Sequence, residues 1–185
     1  MKLLLYCTKS NPNLNKLYGK NWFYFGEKLI DLDVRLNGKI VAQCDCEKIE
    51  RIFINFVPKD LEELNKLQSI IYMTNNKELL EKSCLSVDQI DDYLNGKIGY
   101  ALHLSNLETF DNPKELRDYG VKKAPQNMMK VFDDKGNEYV LISVRPEHLV
   151  NILKGKKTIE IRKKILKCMG GLGKWTDGNY ALYNI

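Results

Sequence analysis

The pattern of hydrophobic and polar positions near the C-terminal end of the chain predicts a strand, a short helix, a tight turn and a second strand. Residues 140–144 are mostly aliphatic and β-branched, which favours a strand. Pro146 fits the first turn of a helix, where its missing N–H is not needed, and Gly155 fits the helix end. Apolar and polar residues then alternate over 158–162. We therefore expect this last strand to have an apolar face in a core and a polar face in a cleft.

Short strands with a few helices among them are predicted over the rest of the chain. Ser86, followed three residues later by Gln89, is typical of a capping box at the start of a helix. The segment 133–137 is typical of a hairpin turn. Alternating or apolar runs predict strands at 3–8, 38–46, 98–107, 128–132 and 139–144. Together the elements predict an α+β fold, a small mixed β-barrel with helices packed on its rim.

The length of 185 residues suits a single domain over 1–185. Within it we expect a helical insertion at about 58–95 and a flexible, glycine-rich tail at about 168–185. No apolar run approaches the ~20 residues of a membrane-spanning helix, and the first residues do not resemble a signal peptide. These features predict a cytoplasmic protein with no membrane partner. The formal net charge of +5 mildly favours a polyanionic partner but does not establish one.

The cysteines and histidines do not indicate a metal or a cofactor. An odd number of cysteines, five, in a cytosolic chain argues against a disulfide framework. Cys44 and Cys46 share one face of a strand, but no second pair of Cys or His lies nearby, so we expect core or cleft-wall thiols rather than a zinc site. His103 and His148 are far apart in sequence, and we expect structural roles for both.

Several segments carry a further pattern. They are Val-Leu-Ile-Ser-Val-Arg-Pro-Glu at 140–147, Ile-Leu-Lys-Gly-Lys-Lys-Thr-Ile-Glu-Ile-Arg at 152–162, Leu-Tyr-Cys-Thr-Lys at 5–9, Gly-Lys-Ile-Val-Ala at 38–42 and Gly-Tyr-Ala-Leu-His-Leu-Ser-Asn-Leu at 99–107, with further matches at 110–116 and 123–126. Together they cover most of the chain and resemble the ASCH domain, which belongs to the PUA-like superfamily of β-barrels. The resemblance implies a PUA-like barrel.

The order of these segments differs from that of the usual family member, in which the segments found here at 140–147 and 152–162 come first. The Tyr-Cys-Thr-Lys strand follows them there, whereas here it opens the chain. This order predicts a circular permutation in which strands 3–8 and 157–162 are neighbours in one barrel. A domain-swapped dimer, in which the C-terminal part completes a second copy, remains an alternative.

A cleft is predicted where the polar face of the last strand meets the segments that resemble its neighbours. Lys and Arg side chains bind phosphate, whereas Gln, Glu and aromatic side chains recognise bases. The expected ligand is therefore RNA or a nucleotide-like molecule. A simpler interpretation is that Glu160 and Arg162 only pair with each other on a solvated surface. The candidate catalytic residues are Lys157 and Glu160, and the candidate ligand-binding residues are Tyr6, Thr8, Lys9, Gln126, Arg145, Thr158 and Arg162.

Two other functions stay open. Some ASCH proteins are amidohydrolases that act on acetylated cytidine, and Lys157 matches the lysine of their pattern. Their nucleophilic threonine position falls on Glu160, and Thr158 is displaced from it by roughly 6.6 Å of strand, too far for covalent catalysis. The first alternative is thus a hydrolase, an amidohydrolase or ribonuclease, acting on RNA or a modified nucleoside. The second is a phage- or mobile-element-encoded interaction module that binds a protein partner through the helical insertion.

Overall fold

The computed structural model describes residues 1–8, 22–25, 28–31, 34–53, 71–72, 77–166 and 169, and within them the fold is mixed α+β. The strands are β1 (Lys2–Cys7), β2 (Trp22–Phe25), β3 (Lys28–Asp31), β4 (Ile40–Phe53), β5 (Ile71–Tyr72), β6 (Gly99–Lys114), β7 (Met128–Phe132), β8 (Glu138–Val144) and β9 (Ile159–Arg162). The helices are α1 (Lys77–Ser83), α2 (Val87–Leu94) and α3 (Pro146–Leu153), with 3-10 helices at Val34–Leu36 and Leu116–Tyr119. Among these described helices, none has the length and apolar character needed to cross a membrane.

The chain forms two compact units, and strands β4 and β6 each contribute residues to both. Unit 1 comprises Met1–Asp45 and Ser105–Lys156. Its main strands follow the order β7-β8-β1-β4-β6. β1 is parallel to β8 and antiparallel to β4, and β7 is antiparallel to β8. Both edges of β1 are therefore occupied by hydrogen-bonded neighbours.

The core of unit 1 is built from the inward positions of these strands and from the chain after the second 3-10 helix. The predicted hairpin is confirmed: the Asp133 carboxylate accepts hydrogen bonds from the backbone N–H groups of Lys135 and Asn137, and β7 and β8 pair on either side. Helix α3 begins at Pro146, as predicted. The buried hydrophobic cluster of unit 1 contains Leu4, Tyr6, Ile40, Tyr119, Val121, Val131 and Leu141.

Unit 2 comprises Cys46–Leu104 and Lys157–Ile185. In it β9 pairs antiparallel with β6, and the short β5 pairs parallel with β4. The predicted capping box is present, because Ser86 and Gln89 exchange both of its hydrogen bonds at the start of α2. Helices α1 and α2 pack on the apolar side of these strands, in a cluster of Ile52, Leu79, Ile90, Leu94, Ala101, Ile159 and Ile161.

Helices α1 and α2 also fall within the insertion predicted at about 58–95. Its residues 58–70 and 73–76 lie outside the described part of the chain. Of the predicted tail at about 168–185, only Met169 is described, and it is buried. Cys44 and Cys46, expected as core or cleft-wall thiols, are both buried in the core.

Two predictions about the ends of the chain have opposite outcomes. The expected core positions Ile142, Val144, Ile159 and Ile161 are confirmed, since none is more than 4% exposed. The expected neighbouring of strands 3–8 and 157–162 is wrong, because β1 pairs with β4 and β8 whereas β9 pairs with β6. No edge of β1 is left for β9. The pairings among the described strands do not close a barrel.

Candidate functional site

The structure places the predicted site residues in both units. Lys9 lies outside the described residues. Unit 1 contains Tyr6, Thr8, Gln126 and Arg145. Unit 2 contains Lys157, Thr158, Glu160 and Arg162.

The charged residues of unit 2 form a buried ion cluster. The Lys157 ammonium lies 3.3 Å from Glu160 Oε2, and Arg162 Nη2 lies 2.9 Å from Glu160 Oε1. The exposed fractions are only 1% for Lys157, 4% for Glu160 and 6% for Arg162. The expected Glu160–Arg162 pair is therefore present, but it is buried rather than solvated. We call Lys157, Glu160 and Arg162 the β9 ion cluster.

The position of Lys157 follows from the end of helix α1. The last carbonyl groups of a helix have no hydrogen-bond partner within the helix. Here two of these carbonyl groups accept hydrogen bonds from the two residues that precede β9. The Lys157 ammonium donates to the carbonyl of Ser83 over 2.7 Å, and the Thr158 N–H donates to the carbonyl of Lys82 over 2.9 Å. A cation is also favoured at a helix C-terminus. These contacts give Lys157 a structural role that explains its burial.

A second polar group in unit 2 was not predicted as a site. His103 Nε2 lies 2.6 Å from Glu50 Oε2, and Lys48 also pairs with Glu50. Burial alone would raise the pKa of Glu50, but the hydrogen bonds from Lys48 and His103 hold that pKa below its ordinary value. His103 is thus a paired histidine, in keeping with the structural role expected for it. Within the described residues, no group of three or more potential metal ligands occurs.

Unit 1 contains an open cavity of about 960 Å³. Two predicted site residues, Tyr6 and Thr8, lie in its wall. Gln126 and Arg145 are exposed and do not line it. The lining also contains three cations that the sequence interpretation did not select, Arg117, Lys122 and Lys123.

Local contacts hold the loop that carries the two lysines. Gly120 adopts a left-handed conformation, with φ of 68°, and ends the 3-10 helix. Val121 then turns into the core, where it is 7% exposed. Beyond the lysines, the Ser143 hydroxyl donates a 2.6 Å hydrogen bond to the carbonyl of Pro125. The loop is fixed at both ends, so Lys122 and Lys123 are presented as exposed cations between them.

The cavity is positively charged on balance. Its one lining carboxylate, Glu115, forms an ion pair with Lys39. Among the described residues, no acidic side chain pairs with Lys122 or Lys123. An anion in the cavity would therefore meet lysines that are not already neutralised.

Tyr6 is a largely buried residue of the cavity wall. It is 3% exposed and lines the cavity together with Ser143, its neighbour in the pairing of β1 with β8. Burial, with a smaller contribution from Cys7, raises the pKa of Tyr6 above its ordinary value. The hydroxyl therefore stays protonated at neutral pH and can donate a hydrogen bond.

Sequence reasoning missed the Lys122–Lys123 pair although the segment 123–126 was singled out. The signal was a glycine followed by an apolar residue, two lysines and Ala-Pro, which is a turn that buries one side chain and exposes the next two.

No protein-family model matches the chain, and neither a curated protein nor a solved structure matches it. The resemblance to ASCH domains therefore rests on the sequence segments alone.

Proposed function

We propose that the protein binds RNA or a nucleotide-like ligand in the cavity of unit 1. The observation that carries this proposal is the composition of the cavity, which joins Tyr6 and Thr8 to Arg117, Lys122 and Lys123. Small-molecule sites are commonly about 300–1,000 Å³, so the cavity volume of about 960 Å³ is sufficient for a nucleotide. The proposal includes a PUA-like, ASCH-type domain that acts in the cytoplasm.

The chemistry of the cavity suits both parts of a nucleotide. Exposed lysine and arginine side chains form charge-assisted hydrogen bonds with phosphate oxygens. The apolar part of the lining, Leu116, Val121 and Pro125, offers surface for a planar base. The formal net charge of +5 adds a general attraction for polyanions.

The β9 ion cluster supports the fold in this proposal rather than contacting the ligand. Its three charged side chains are almost fully buried and already paired with one another. Buried charges that are paired and hydrogen-bonded resist rearrangement, since separating them leaves an uncompensated charge. The cavity of unit 1, in contrast, has exposed cations in its wall.

The hydrolase alternative gains no support from the same geometry. Glu160 is held between Lys157 and Arg162, and the backbone of Thr158 bonds to Lys82 and Leu104. A nucleophilic hydroxyl at position 160 is lacking. The second alternative, a protein partner bound through the insertion, likewise gains no support from the contacts of the described residues.

Fluorescence anisotropy with a labelled RNA oligonucleotide and a labelled mononucleotide, each at two salt concentrations, tests the proposal. Lys122→Ala and Lys123→Ala should each weaken binding of RNA and lower its salt slope by up to about one unit. Lys135→Ala is the matched control, because Lys135 is an exposed lysine of unit 1 that does not line the cavity. If all three variants weaken RNA binding equally, the binding depends only on the general positive charge of the surface, and the proposal is refuted.

A further inference from the structure

We infer that Glu115 makes the cavity of unit 1 selective for ribonucleotides over deoxyribonucleotides, because its carboxylate accepts a hydrogen bond from the ribose 2′-hydroxyl of the ligand. This inference rests on the proposed function and adds the ligand class and a specificity-determining residue. Its basis is a feature that phosphate binding does not explain: a carboxylate stands in a wall whose other charged residues are cations.

Glu115 is held in place through its backbone and its side chain. Its N–H donates a 2.9 Å hydrogen bond to the carboxylate of Asp118, and its carbonyl accepts a 3.2 Å hydrogen bond from the Asp118 N–H. The side chain pairs with the ammonium group of Lys39. A side chain that is fixed in this way loses little further freedom when a ligand binds.

The backbone of Lys39 is fixed as well. Its carbonyl accepts a 2.9 Å hydrogen bond from the N–H of Cys7, and its own N–H donates a 3.1 Å hydrogen bond to the carbonyl of Leu36. Glu115 lines the cavity, whereas Lys39 does not. The lysine therefore offsets the negative charge of the carboxylate and weakens its repulsion of a phosphate, while the carboxylate remains the group that a ligand meets.

An ion-paired carboxylate still accepts further hydrogen bonds. Its two oxygens offer about four lone-pair sites, and the contact with Lys39 is made through Oε1. The side chain of Glu115 is 37% exposed, so a ligand in the cavity can reach it. Because an ionised carboxylate accepts but does not donate, the ligand has to present an N–H or O–H group here, and a phosphate dianion has neither.

The other groups of the wall suit the remaining parts of a nucleotide. Phosphate is attracted to the exposed cations Lys122 and Lys123. A planar base suits the apolar surface that Leu116 and Val121 provide. The ribose lies between phosphate and base, and its hydroxyl groups are donors that all four ribonucleotides share. The 2′-hydroxyl is the group that distinguishes RNA from DNA, and Asp or Glu side chains bind it in the same manner in NAD sites.

Isothermal titration calorimetry with the four ribonucleoside 5′-monophosphates and their 2′-deoxy counterparts tests the inference, with deoxyuridine monophosphate as the counterpart of uridine monophosphate. The measured quantity is the ratio of the deoxy and ribo dissociation constants, in which a general change of charge cancels. The wild type should bind the ribonucleotides about tenfold more tightly. Glu115→Ala should remove this preference, and Glu115→Gln, which keeps a neutral acceptor, should retain part of it.

Glu138→Ala is the matched control. Glu138 is a carboxylate of unit 1 that also pairs with a lysine, Lys130, but it does not line the cavity. Both alanine variants remove one negative charge and leave a lysine without its carboxylate. Glu138→Ala should therefore keep the wild-type ratio, whatever its effect on overall affinity.

The outcomes distinguish this inference from the proposed function. If the wild type binds both sugars equally and Lys122→Ala and Lys123→Ala weaken both, the nucleotide site stands and the role of Glu115 is refuted. An unchanged ratio in both Glu115 variants also refutes that role, as does a change in base preference that is equal for the two sugars. Loss of all binding by Glu115→Gln refutes it too, because the side chain would then support the fold. If the wild type binds no nucleotide, both proposals fail.

Discussion

The ammonium group of Lys157 donates a 2.7 Å hydrogen bond to the carbonyl oxygen of Ser83, the last residue of α1. The same ammonium lies 3.3 Å from the carboxylate of Glu160, so one side chain connects the end of a helix to strand β9. A lysine that is 1% exposed is unusual, and such burial is tolerated only when the charge is paired. This relationship makes Lys157 a structural residue with a measurable stability effect.

The first prediction is that Lys157→Met, which keeps the length of the side chain but removes its charge, destabilises the protein by about 3–5 kcal/mol. The Glu160 carboxylate would lose one of its two cations, and the Ser83 carbonyl would lose its donor. Urea unfolding measures the change in free energy. Lys154→Ala, at an exposed position, is the control and should stay within about 0.5 kcal/mol of the wild type.

The second prediction concerns coupling between Lys157 and Glu160. Adding Glu160→Gln to Lys157→Met removes the carboxylate that the first change left short of a cation, so the double variant should recover part of the lost stability. The two single changes and the double change form a cycle in urea unfolding. Strict additivity of the two single effects would show that the 3.3 Å contact contributes no pairwise free energy.

The sequence predicted those features that depend on local chemistry. The capping pair Ser86–Gln89 and the helix start at Pro146 each need only a few neighbouring residues. Alternation along β9 also identified Ile159 and Ile161 as core residues.

Features that depend on distant segments were not predicted. Alternation places Glu160 on the opposite face from Ile161, but it does not say whether another layer covers that face, and Glu160 is buried. The partners of β1 depend on long-range pairing, which segment order alone did not determine. The loop at Lys122 and Lys123 faces the cavity because of a bond between Ser143 and Pro125, which are 18 residues apart.

The third prediction concerns the apolar side of β9. Ile161→Ala should lower the free energy of unfolding by about 2–5 kcal/mol, because it leaves a cavity between β9 and the cluster that includes Leu79 and Ile90. Ile161→Val should cost only about 0.5–1.5 kcal/mol, since it removes a single methylene. The ranking of the two variants in urea unfolding checks this packing, and equal effects would contradict it.

The fourth prediction is a difference in thiol reactivity. Burial raises the pKa of Cys7 to about 12 and that of Cys46 to about 11, so little reactive thiolate forms at either near neutral pH. Cys84 is exposed. Iodoacetamide at pH 8 should therefore label Cys84 in the folded protein and spare Cys7 and Cys46 until urea is added. Peptide mass mapping measures the labelling, and early modification of Cys7 would contradict its burial.

The last prediction is that Glu50 contributes to loss of stability in acid. Its pKa in the folded protein lies below the ordinary value of 4.5, because hydrogen bonds from Lys48 and His103 outweigh the opposing effect of burial. A carboxyl group with a lowered folded-state pKa stabilises the protein above 4.5, and this contribution is lost as the pH falls through the folded-state pKa.

Urea unfolding at pH 6 and pH 3.5 should therefore show a fall in the free energy of unfolding for the wild type and a smaller fall for Glu50→Gln. The variant keeps the shape of the side chain but has no proton to bind in this range. Part of the fall should remain, since the pKa values of Asp45, Glu78 and Asp133 are also lowered. Asp92→Asn, at an exposed position of α2, is the control and should follow the wild type. If Glu50→Gln also falls as steeply as the wild type, the hydrogen bonds to Glu50 do not contribute to acid stability, and the contact of 2.6 Å with His103 is not energetically significant.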